Sequence, residues 1–160
     1  MPTSTFSVVD SELVDVVLTA SRVLVAVAAR SLAAHEAEVS LQQYRALVVL
    51  ASRGPQRPGD LAEALGVDPS TTTRLCDRLV ERRLISRRRQ PGDRREVRVD
   101  LNDRGRSLVG EVTERRRLEI QRILAAVPDP DRAALVGAFR TFGQAAGEVP
   151  DDEWPRSWDL

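Results

Sequence analysis

The chain has 160 residues, 24 basic and 24 acidic, with no formal net charge, 42 % hydrophobic residues and one cysteine. That length suits a single domain able to bury a normal core, and the lone Cys76 excludes an intrachain disulfide. Residues 2–7 are polar and uncharged, and the apolar run 23–29 lies between Arg22 and Arg30, too short for a bilayer; a cytoplasmic protein without membrane contact is expected.

In chain order, residues 1–9 read as frayed. A long helix follows over residues 10–34, with Leu13, Val16, Val17, Ala20, Val23, Leu24, Val27 and Leu32 at helical spacing. At roughly 25 residues it measures about 37 Å, close to the width of a compact domain of this length. Its apolar face is therefore too long for its own domain to cover, and points to a second copy of the chain. Ser40 is the N-cap of a helix over residues 41–52, with Leu47 and Leu50 inward.

Two short helices come next. Pro58 and Asp60 suit an opening turn, Leu61, Ala62 and Leu65 recur at helical spacing, and Gly66 suits a left-handed stop. Asp68 and Pro69 then start another helix at once, which makes a helix-turn-helix. Projected at about 100° per residue, Thr72, Leu75, Cys76 and Leu79 form its inner face. Ser70, Thr73, Arg74 and Asp77 form the outer face, with Thr71 and Arg78 on the flanks. Small hydroxyls and guanidinium groups near a helix start let it enter a major groove and bond base edges and phosphates, and the helix end itself favours an anion.

Residues 84–88 and 96–101 have strand character and enclose a basic turn with Pro91-Gly92 at its tip. A basic hairpin directly after such a helix is a wing, with Arg94 and Arg95 suited to phosphates or a narrow minor groove and Asp93 to holding a neighbouring arginine. Residues 57–106 carry 13 arginines against 9 acids, while residues 1–40 hold 2 against 5 and residues 128–160 hold 3 against 7. The neutral total thus conceals a basic centre between acidic ends, and local field steers an approaching duplex. After the wing, Asn102 or Asp103 caps a long helix to about Ala126, Pro128 and Pro130 interrupt it, and a last helix spans residues 131–147 with Leu135, Val136, Phe139 and Phe142. An acidic tail holds Trp154 and Trp158.

The segments Leu41-Gln42-Gln43-Tyr44-Arg45-Ala46-Leu47, Leu61-Ala62-Glu63-Ala64-Leu65-Gly66-Val67, Ser70-Thr71-Thr72-Thr73-Arg74-Leu75, Asp77-Arg78-Leu79 and Asp93-Arg94-Arg95, followed by Leu101-Asn102-Asp103-Arg104-Gly105, resemble in order and spacing the MarR (multiple antibiotic resistance regulator) family of winged-helix transcription regulators. Two positions depart from the pattern: Thr72 replaces an apolar residue, and Arg83 stands where a glycine often ends the recognition helix. The resemblance implies a mostly α fold with a small β-hairpin wing. A winged helix-turn-helix core over residues 41–101 would be flanked by dimerisation helices over residues 10–40 and 102–148, with an acidic tail over residues 149–160. It also implies an intertwined homodimer and a small phenolic or lipophilic effector bound between the dimer helices and the reading heads, with Tyr44 among the lining residues.

The expected function is therefore sequence-specific binding of double-stranded DNA at a pseudo-palindromic operator, as a ligand-released repressor. Ser70, Thr71, Thr73, Arg74, Arg78, Arg94 and Arg95 are the DNA-contacting residues. The alternative is a winged-helix protein acting through a protein partner or as a ligand-binding module. No nucleophile elbow, phosphate loop or dinucleotide fingerprint supports an enzyme, and no cofactor is expected. His35 lacks companions at metal-ligand spacing, and Cys76 projects onto an apolar inner face, where a thiol is inert.

Overall fold

The computed structural model describes residues 11–35, 39–90 and 93–155, with backbone alone at Gln90 and at residues 93–96. The frayed start, the Pro91-Gly92 tip and Trp158 lie outside the described residues, as do the side chains of Asp93, Arg94 and Arg95. Six helices, α1 (Ser11–Ala33), α2 (Leu41–Arg53), α3 (Pro58–Leu65), α4 (Pro69–Glu81), α5 (Asp103–Ala125) and α6 (Asp129–Ala145), accompany one hairpin, β1 (Ile85–Gln90) and β2 (Asp93–Leu101). The last helix starts at Asp129, earlier than expected, because Pro130 sits in its first turn, where no N–H is needed.

The core is built by the middle of the chain. Leu47 and Leu50 of α2, Leu61 of α3, Leu79 of α4, Leu84, Val99 and Leu101 of the wing base, and Leu108 and Val112 of α5 are all buried together. Ser40 caps α2 through a reciprocal box: its hydroxyl accepts from Gln43 N–H, and its own N–H donates to Gln43 Oε1. The strands pair antiparallel from Ile85↔Leu101 to Arg89↔Val97, then jump to Gln90↔Asp93, so residues 94–96 form a bulge on β2. Gln56, between α2 and α3, adds a one-residue bridge to Val99 through bonds of 3.0 and 2.8 Å. A bridge one residue long has no alternation to betray it in sequence.

The α4 stop explains the Arg83 departure. Arg83 has φ +58°, and it is the one non-glycine with positive φ among the described residues. Its N–H donates to Val80 O and that of Leu84 to Leu79 O, both at 2.9 Å. That is the Schellman arrangement, closed by the buried pair Leu79 and Leu84. Asn102 Nδ2 donates to Arg83 O at 2.7 Å and holds the strained residue in place. Since a side chain in the left-handed region costs roughly 1 kcal/mol that glycine avoids, Arg83→Gly should raise the melting temperature by about 2–4 °C in a calorimetric scan.

The terminal helices bury little. In α1 only the last two turns reach the core, through Val27, Ala28, Ser31 and Leu32, while Leu13, Val16, Leu18 and Val23 stay exposed. The first four turns thus leave apolar side chains in solvent. Helix α6 buries no residue at all, with Val136 57 %, Phe139 48 % and Phe142 57 % exposed.

Candidate nucleic-acid interface

Helices α3 and α4 meet through a three-residue turn. Gly66, at φ +63°, stops α3, with Gly66 N–H on Glu63 O and Val67 N–H on Ala62 O. Asp68 then caps α4, its carboxylate accepting Thr71 N–H at 3.0 Å. The inner face is as expected from the projection: Thr72, Leu75, Cys76 and Leu79 are buried. Thr72 fits because its hydroxyl donates back to Asp68 O at 3.3 Å, so the departure leaves no stray polar atom.

On the outer face, Ser70, Thr73, Arg74 and Arg78 are exposed and Thr71 is half-buried. The hydroxyls are not idle. Ser70 Oγ and Thr71 Oγ1 donate to the Asp68 carboxylate at 2.6 and 2.7 Å, and Thr73 Oγ1 donates to Pro69 O at 2.9 Å. These side-chain and backbone donors hold the Asp68 carboxyl far below its ordinary value of 3.8, so it is ionised at any working pH. The anion that the helix end favours is supplied by the chain itself, in the Asp68 carboxylate. The three hydroxyls, with their hydrogens turned inward, present lone pairs outward and suit base amino groups better than phosphate oxygens.

The cationic part lies beside them. Among the described residues, Arg74, Arg78, Arg88 and Arg89 have no ion-pair partner, and all four are exposed. Asp77, on the same face, is engaged by Arg87 of β1 at 2.5 Å, a tie between α4 and the wing. No local pattern marks this tie in the sequence, since ten residues and a chain reversal separate the two. Backbone alone is described at Arg94 and Arg95, which fall in the β2 bulge at the outer end of the hairpin.

Cys76 is buried, and burial is the main cause pushing its thiol up, which leaves little reactive thiolate. His35 lies 3.4 Å from Glu111 of α5. Tyr44 is 3 % exposed, in the core between α2 and α5, with its hydroxyl 3.3 Å from that of Thr113. A ligand reaching its ring has to part those helices.

The sequence pattern of the MarR family matches residues 39–97. The crystal structure of RV1404 from Mycobacterium tuberculosis superposes with a TM-score of 0.83 at 43 % identity, covering 89 % of this chain and 99 % of that one. The chain belongs to the MarR family. A second relative, the HTH-type transcriptional regulator MT0903.1 of Mycobacterium tuberculosis (strain CDC 1551 / Oshkosh), is 33 % identical over 112 residues, 70 % of this chain and 78 % of its own. The Bordetella bronchiseptica protein BpsR, whose DNA binding is regulated by 6-hydroxynicotinic acid, shares the fold with a TM-score of 0.63 at 24 % identity, over 83 % of this chain and 99 % of BpsR.

As a MarR family member the protein is a DNA-binding transcription regulator, a class without enzymatic activity. No helix among the described residues is long and apolar enough to cross a membrane.

Proposed function

We propose that the protein is a homodimeric repressor that holds a pseudo-palindromic operator and releases it on binding a small aromatic or lipophilic molecule. The observation that carries the dimer is α6, a 17-residue helix with no buried residue and two half-exposed phenylalanines. Apolar side chains of that size gain roughly 1.5–3 kcal/mol each on full burial, and the bare turns of α1 offer a matching surface on a second copy. In this reading residues 10–40 and 102–148 are the dimerisation arms and residues 41–101 the reading head, within a single domain.

Each head inserts α4 into a major groove. Arg74 and Arg78 supply donors to guanine edges and phosphates, and Ser70, Thr71 and Thr73 supply acceptors to base amino groups. Arg94 and Arg95 of the wing lie against the adjacent minor groove. A dimer seated on two half-sites one turn apart blocks polymerase by occupancy alone. A cytoplasmic setting suits this role and keeps Cys76 reduced.

The effector site sits where α1, α2 and α5 meet, with Tyr44 and Thr113 at its floor. A molecule that parts α2 from α5 moves the head against the arms, and its effect equals its differential affinity for the two head spacings. BpsR provides a precedent in the fold for regulation by an aromatic acid.

The test is a binding isotherm against duplex selected by the protein from a randomised pool, repeated across salt concentrations. A dimer neutralising roughly 6–10 phosphates gives a log–log slope of about −5 to −9. Affinity flat in salt, or equal for all duplexes, rejects the operator reading and favours a head that serves a protein partner.

A further inference from the structure

The acidic segment after α6 does not trail away from the fold. Gly147, at φ +71°, turns the chain out of α6, with its N–H on Gln144 O and that of Glu148 on Gly143 O. The Glu148 carboxylate then meets the Arg45 guanidinium of α2 at two points, one of them 3.0 Å and the other Nη2 to Oε1. Arg53, also on α2, donates to Gly147 O at 3.1 Å. Arg117 of α5 lies 3.7 Å from Asp151. Trp154 packs against the core while its indole N–H donates to Val149 O at 3.1 Å, folding the segment on itself.

The consequence concerns α6. That helix buries nothing in its own chain, yet both its ends are fastened: one continues from α5 through Val127 and Pro128, the other is tied to α2 by Arg45 and Arg53. We propose that residues 147–154 form a strap that fixes the reading head to the dimer arm and so sets the half-site spacing the dimer accepts, with Arg45 and Glu148 as its positioning residues. The inference rests on the dimeric operator reading above. Without the strap, α6 stays on its partner while its own head is free to shift against the arm. Only the fraction of dimers with the right head separation then binds, and the apparent dissociation constant rises by the inverse of that fraction.

One exposed ion pair contributes little by itself, so charge reversal tests the strap better than neutralisation. In Glu148→Arg two guanidinium groups face each other and the segment is driven off α2. The dissociation constant is measured for the full-length dimer on the selected operator, on the same operator with one base pair added or removed between half-sites, and on a single half-site. Wild-type protein should discriminate among the spacings. Glu148→Arg should bind the native operator about 5–20-fold more weakly, lose most of that discrimination, and keep its half-site affinity and its dimeric mass in sedimentation. The double reversal Arg45→Glu/Glu148→Arg should restore both affinity and discrimination, and Trp154→Ala should reproduce the loss through the other end of the strap.

Unchanged discrimination in Glu148→Arg, or no recovery in the double reversal, overturns the strap while leaving the operator reading intact. A matching loss on the half-site also overturns it, because the damage would then lie in the head. Wild-type protein indifferent to spacing removes the dimeric reading and the strap with it.

Discussion

Replacing Gly105 by Ala is expected to remove about 3 kcal/mol of stability, the upper end of what overpacking typically costs. A Cβ at Gly105 would stand 2.1 Å from the Leu84 carbonyl oxygen and 3.1 Å from Leu101 Cδ2. Neither neighbour has room to yield. Leu84 closes the stop of α4 through its N–H, its carbonyl accepts Asn102 N–H at 3.3 Å, and Leu101 is fully buried at the end of β2. Gly105 N–H is in turn the donor to the Asn102 side chain that caps α5, at 3.0 Å. Relief requires the start of α5 to back away from the wing base, which undoes the cap and the Schellman turn together. Gly110, five residues on in the same helix, has nothing within 4 Å of the place a methyl group would take, so Gly110→Ala should be neutral or stabilising by up to about 1 kcal/mol. Urea unfolding of the two variants beside the parent protein decides the matter. Equal stability of Gly105→Ala and the parent would show that α5 can slide, and that the contact is not a constraint.

The contrast bears on what could be read from the residues alone. Helices α2 to α4 announce themselves through caps and stops, because Ser40, Gly66 and Asp68 act on backbone groups within four residues of themselves. The inner face of α4 follows from a 3.6-residue period for the same local reason. Contacts between distant segments leave no such mark. Gly105 against Leu84, Asp77 with Arg87, Gln56 with Val99 and Glu148 with Arg45 each depend on how two elements meet. Arg83 is intermediate. Its break with the expected glycine was visible, but the Asn102 bond that supports its left-handed backbone was not.

The outer face of α4 shows the same division. Its residues were legible as a polar stripe, and their types suggested a groove-reading helix. The direction of the hydroxyl hydrogens was not legible, because it depends on the Asp68 carboxylate being placed to accept from both Ser70 and Thr71. That detail changes the chemistry of the exposed face from mixed to divided: acceptors at the head of the helix, guanidinium donors one and two turns later at Arg74 and Arg78.

Removal of those donors should have the largest effect on function. Arg74→Ala/Arg78→Ala is expected to weaken the selected operator by at least about 10³-fold, as the dimer loses four base or phosphate contacts, each worth roughly 1–3 kcal/mol. Both side chains are exposed and without an ion-pair partner among the described residues, so their loss leaves the fold unaltered. The effect should be selective, with binding to unrelated duplex falling far less than binding to the operator. Arg74→Lys separates charge from geometry: a lysine keeps the attraction but lacks the planar fork, so overall affinity should largely survive while preference for guanine drops. Arg94→Ala/Arg95→Ala should behave in the opposite way. It should weaken every sequence, most of all those with A·T-rich flanks, and make the salt slope shallower by about 3–4, as four fewer phosphates are neutralised per dimer. Competition isotherms at two salt concentrations distinguish the cases. If the Arg74→Ala/Arg78→Ala protein, folded and dimeric, keeps its preference for the operator, α4 is not the element that reads the bases.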